Sequence, residues 1–157
     1  MANLASKFTL LAEIELPRCF KPDEFGEIKT WQLHHFADAS CRAYAAVSCL
    51  RLVNFSGKIH CCCLIGKARV APLEICSIPR LELTAPVLAV QLDRLVRREL
   101  FLEKCESFFW TDSTTVLQAS RNTSKRFPVF VANRLSKIED GFFHPRCFAM
   151  ASWAHQA

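Results

Sequence analysis

A chain of 157 residues that is 51% hydrophobic and 22% charged, with only 4 glycines, is one globular domain's worth, long enough to bury about two-thirds of its unfolded surface. That composition excludes a disordered or fibrous protein, and no uncharged apolar run nears the roughly 20 residues of a membrane helix. The net charge of +5 is compatible with a polyanionic partner, but the 20 Lys and Arg are spread along the chain, which by itself points to a solvated surface.

Residues 1–30 mix Pro17, Pro22, Gly26 and several charges without sustained periodicity and read as a lead-in segment. Residues 31–37 (WQLHHFA), 43–53 (AYAAVSCLRLV) and 58–67 (KIHCCCLIGK) read as three strands, with a turn at 54–57. Three adjacent strands with short links suggest an antiparallel meander. In residues 79–100, Leu81, Ala85, Leu88, Leu92 and Leu95 recur at the helical period, with Arg94, Arg97 and Arg98 off that stripe. A short apolar strand at 106–110 (ESFFW) follows, then helices over 113–119 and 129–138. After Asp140 the pattern fails, and residues 141–157 read as a divergent tail without an acidic residue.

The 9 cysteines are odd in number and irregularly spaced, and Glu13 and Glu15 interrupt the apolar run near the start. The expectation is reduced thiols, no secretory leader, and an intracellular protein, cytoplasmic or nuclear. Cys61, Cys62 and Cys63 after His60 invite a zinc reading, but consecutive strand residues point to opposite faces and cannot close a tetrahedron on one ion. The ordinary reading of that triplet is strand.

A buried strand reached through a crossover helix usually lies parallel to a strand already in the sheet. If 106–110 pairs with 31–37, Asp38 and Asp112 stand side by side just past the strand ends, where ligand sites of mixed sheets form. Glu82, near the start of the connecting helix, can project toward the same spot. Crowded carboxylates raise one another's pKa unless a cation neutralises them. Hard divalent ions with oxygen ligands do so, and a pair of them can activate water for phosphodiester cleavage. Each residue also has an ordinary role open to it: Asp112 as a helix N-cap, Asp38 in a turn, Glu82 favouring a helix dipole.

Four segments then carry a family resemblance: LHHFADASCRAYAAVSCLR, KARVAPLEICSIPRLELTAPVLAVQL, FFWTDSTTVL and FPVFVANRLSKIED. In this order they resemble the ribonuclease H-like region of BEL/Pao retrotransposon Pol polyproteins, a segment also catalogued as Pao retrotransposon peptidase. The resemblance implies an α/β, ribonuclease H-like mixed sheet over residues 31–140, with three antiparallel strands, then a parallel strand, and flanking helices. It implies hydrolysis of RNA in RNA–DNA hybrids with Mg2+ or Mn2+. The family's carboxylates fall on Asp38 in FADAS, Glu82 in PRLEL and Asp112 in WTDS, as catalytic residues and metal ligands. Lys67 and Arg69 in GKARVAP are candidate contacts to backbone phosphates, or ordinary solvated charges. Proteolysis is not expected, because an aspartic peptidase needs Asp, then Thr or Ser, then Gly, and neither ADAS nor TDST has that glycine.

Two departures qualify the resemblance. The family's fourth acidic ligand follows a further strand, and here no acidic residue follows Asp140, so the last strand and fourth ligand are expected to be missing and catalysis reduced or lost. The alternative is a non-catalytic remnant that binds nucleic acid. Secondly, Pro86 stands four residues after Glu82, where inside a helix it would remove the amide that bonds the Glu82 carbonyl, at roughly 3 kcal/mol. Otherwise the helix starts at Thr84 as N-cap, with Pro86 in its first turn.

Overall fold

Three successive stretches form the first half of the sheet, β1 (Ile28–Ala39), β2 (Ala43–Asn54) and β3 (Ile59–Val70), with burial alternating along β1 and β2 but only as far as Leu64 in β3. These come from a computed structural model, which describes residues 19–72, 77–102, 105–121, 127–139 and 148–150. The helix α1 (Ile78–Glu99) crosses to β4 (Glu106–Thr111), followed by α2 (Thr114–Arg121), α3 (Val129–Glu139) and β5 (Phe148–Met150). Strand order is β3-β2-β1-β4-β5. β2 pairs antiparallel with both β1 and β3, whereas β4 runs parallel to β1 and β5 parallel to β4.

The β2–β3 turn is built by Asn54, whose side-chain oxygen accepts the Lys58 amide at 2.8 Å and the Ser56 hydroxyl at 2.7 Å. Gly57 supplies the positive φ of 82° that closes it. Asn54 also donates its amide hydrogen to the Phe25 carbonyl at 2.7 Å. Phe25, from a 3-10 turn over Asp23–Phe25, is 1% exposed and packs with Leu33, Leu50 and Leu52. Phe25 and the first residues of β1, read from sequence as lead-in, thus take part in the core. A single aromatic side chain anchors this segment, and one residue has no periodicity to betray it.

α1 lies across one face of the sheet. Its stripe residues Leu81, Ala85, Leu88 and Leu92 are buried, with Leu95 half-buried, against Ala37, Ala46 and Phe109 on the strands. Each buried leucine contributes about 1.5–3 kcal/mol. A second cluster of Leu83, Val116, Ala119 and Leu135 ties α1 to α2 and α3. The helix runs unbroken through Pro86, which is buried, so the alternative start at Thr84 is not the one taken. Thr84 instead returns its hydroxyl to the Arg80 carbonyl at 2.8 Å.

The absence of a last strand is corrected: β5 extends the sheet beside β4, Phe109 to Thr111 opposite Phe148 to Met150. Three residues are too few for alternation to be legible in sequence. The rest of the 141–157 tail lies outside the described residues.

Candidate active site

β1 and β3 run toward the same end of the sheet, α1 starts there and returns the chain, and β4 climbs back alongside β1. The register of β1 and β4 ends with Ala37 opposite Thr111. One residue further on each strand stand Asp38 and Asp112, both exposed, and both line one surface cavity of about 270 Å³ shared with Phe36, Val47 and Trp110. Glu82, in the first turns of α1, sits at the same end of the sheet.

Local chemistry decides where each carboxylate points. Asp112 does not cap α2. That role falls to Ser113, whose Oγ accepts the Val116 amide at 3.2 Å and whose carbonyl accepts the Leu117 amide. The Ser113 hydroxyl donates to Glu82 Oε2 at 2.8 Å, so Glu82 is held beside the residue that follows Asp112. Asp38 accepts the Ala39 amide at 2.7 Å. The fold brings Asp38 and Asp112 to one cavity, which Glu82, bonded to Ser113, does not line. Among the described residues, no group of three His, Cys, Asp or Glu side chains is arranged to hold a metal ion. Two carboxylates on one cavity nevertheless fit Mg2+, which is commonly held by one or two carboxylates together with waters and substrate phosphates. Lys67 and Arg69 are exposed on β3, opposite Ala46 and Tyr44, at this same end.

Beneath the site lies a buried polar network that sequence reading missed. His35, wholly buried, places Nε2 3.0 Å from Asp93 Oδ1 and Nδ1 2.7 Å from Ser48 Oγ. Asp93 also accepts the Arg97 Nε–H at 3.0 Å and the Ser107 hydroxyl. Arg97 continues to the Cys105 carbonyl at 2.6 Å. Burial works to raise the Asp93 carboxyl, but hydrogen bonds from His35 and Ser107 and the charges of His35 and Arg97 outweigh it, holding Asp93 below the usual carboxylate range. The network joins β1, β2, β4 and α1, fixing the parallel pair whose ends carry the acids. One signal was available: Asp93 falls four residues after Ala89 and Arg97 four further on, so the three follow one another along one side of α1 next to the stripe, and Ala89 and Asp93 are buried.

On the sheet face away from α1, His34 stacks on Phe108 with centroids 4.9 Å apart, and its Nδ1 accepts the Trp110 indole N–H at 3.1 Å. Burial, then the charges of Arg51 and His35, lower its pKa. A neutral ring is the form that can accept that hydrogen bond.

The family model described as the Pao retrotransposon-like RNaseH-like domain matches residues 1–113, a span that includes Asp38, Glu82 and Asp112. The chain belongs to this family, and its mixed sheet with flanking helices is ribonuclease H-like. Among solved structures it is similar to RNase H1 from the archaeon Halobacterium salinarum NRC-1, at 11% identity and a TM-score of 0.42, covering 80% of this chain and 83% of that one. It is also similar to LC11-RNase H1 in complex with an RNA/DNA hybrid, at 13% identity and a TM-score of 0.47, covering 77% and 84%. A third is the N-terminal RNase H domain of rv2228c from Mycobacterium tuberculosis, at 8% identity and a TM-score of 0.47, covering 80% and 84%. Comparison with the curated proteins gives no match. No helix among the described residues is long and apolar enough to cross a membrane.

Proposed function

We propose that this domain, from the Pol polyprotein of a Pao retrotransposon, is a ribonuclease H-type endonuclease that hydrolyses the RNA strand of RNA–DNA hybrids inside the cell. Asp38 and Asp112 would hold Mg2+ or Mn2+, with Glu82 as third ligand once released from Ser113. The bound ion supplies a water of lowered pKa and offsets the charge of the phosphodiester. Lys67 and Arg69 contact backbone phosphates and orient the duplex. No acidic residue follows Asp140 within residues 141–157, so the proposed site rests on three carboxylates. The observation that carries the reading is the parallel register of β1 and β4, which delivers Asp38 and Asp112 to one cavity.

The test is cleavage of a labelled RNA–DNA hybrid in Mn2+, with and without chelator, beside Asp38→Asn and Asp112→Asn. Metal-dependent cleavage lost in both variants supports the assignment. Equal cleavage by all three proteins would sink it.

A second reading, a non-catalytic nucleic-acid-binding remnant, draws on the engagement of Asp38 with Ala39 and of Glu82 with Ser113. It is favoured if the hybrid binds with a steep salt dependence and no metal produces cleavage.

A further inference from the structure

Four of the chain's cysteines meet in three consecutive rungs of β2 and β3: Cys49 opposite Cys63, Leu50 opposite Cys62, and Arg51 opposite Cys61. Cys62 turns to the α1 side and packs with Leu33, Leu50 and Leu52. The strand's alternation places Cys63 on the other face, level with Cys49. Directly opposed residues of an antiparallel pair have Cα atoms about 4.5–5.5 Å apart, inside the range of about 4.4–6.8 Å that disulfides bridge. A bulge creates this pairing. Ser48 faces Ile65, and the next rung joins Cys49 to Cys63, leaving Leu64 as the extra residue. With regular pairing Cys49 would face Leu64, and Cys63 would lie on the opposite face of the sheet.

We propose that Cys49 and Cys63 form a reversible cross-strand dithiol–disulfide site, oxidised by low-molecular-weight disulfides of the glutathione type. Burial followed by the proximity of Cys63 pushes the Cys49 thiol up to about 11. Cys63 is exposed and Cys49 only half so, which orders the exchange. The Cys63 thiol gives its proton to solvent, and its thiolate attacks one sulfur of the small disulfide, forming a mixed disulfide and expelling one small thiolate. Cys49 then loses its proton and attacks the Cys63 sulfur, expelling the second. The two protein sulfurs together lose two electrons, the two small-molecule sulfurs gain them, and the released thiolates take up two protons. The bond ties β2 to β3 across the bulge, in the strand pair that carries Lys67 and Arg69. It stands independently of the nuclease reading.

The experiment treats the full chain with glutathione disulfide, quenches with acid, alkylates, and maps the cysteines by fragment-ion mass spectrometry. The expected result is a cross-link between Cys49 and Cys63, with alkylation lost at both and restored by dithiothreitol, and a melting temperature that rises on oxidation. Cys49→Ser should stop at a glutathione adduct on Cys63, and in Cys63→Ser the Cys49 thiol should remain alkylatable. Pairing of Cys63 with Cys61, or unchanged alkylation of Cys49 in the wild-type chain, would overturn the proposal. The wild-type map decides this even if a variant fails to fold.

Discussion

Ser113 donates its hydroxyl to Glu82 across 2.8 Å while the same oxygen accepts the Val116 amide. One side chain thus starts α2 and holds a candidate ligand against the end of β4. Ser113→Ala should cost about 1 kcal/mol through the lost cap, read by urea denaturation. It should also change the metal concentration needed for half-maximal hybrid cleavage, whereas Thr115→Ala, exposed on the same helix, should leave that midpoint in place.

Asp93 is almost wholly buried, and its negative charge is matched by His35, Arg97 and Ser107. Asp93→Asn leaves Arg97 without its carboxylate and should cost about 3–5 kcal/mol at neutral pH. Because the folded carboxyl lies below the usual range, its stabilisation is fully present above the unfolded value of about 3.9. It is lost as pH falls through the lower folded value. Denaturation of the two proteins at stepped pH should show a constant gap above that unfolded value and a narrowing one beneath it.

Pro86 deprives the Glu82 carbonyl of its helical partner. Pro86→Ala restores that amide, worth about 3 kcal/mol in a helix interior. It also removes two buried methylenes, each about 0.8 kcal/mol, and loosens the unfolded chain by about 0.4–1 kcal/mol. A small net gain, below about 1 kcal/mol, is expected in the chemical denaturation midpoint. A loss above that size would mean the ring's packing outweighs the missing hydrogen bond.

If Lys67 and Arg69 touch phosphates, the double Lys67→Ala and Arg69→Ala variant should weaken hybrid binding. It should also flatten the plot of log affinity against log salt by about 0.9 for each phosphate no longer neutralised. An unchanged slope, measured by fluorescence anisotropy across a salt series, would return both to ordinary solvated charges.

Strand and helix positions were legible because their signals are local. The alternation of β1 and β2 and the stripe from Leu81 to Leu92 record which face meets the core, and β1 to β4 and α1 to α3 lie within a few residues of their sequence-based bounds. Asp38 and Asp112 were legible as a pair for a related reason: a crossover helix between two strands almost compels parallel pairing. Phe25, β5 and the bulge at Leu64 were not, since each depends on one to three residues whose role is set by a partner distant in the chain.

The order of elements through α3, the core stripe and the candidate acids were thus legible in the sequence alone, through periodicity and motif. Tertiary structure alone decided the rest: that Ser113, not Asp112, caps α2, that Glu82 is turned onto that serine, and that His35 and Asp93, 58 positions apart, meet in the core. The reason is physical. A hydrogen bond or thiol pair depends on ångström-scale register between remote segments, and periodicity records which face is buried, not which atom it meets.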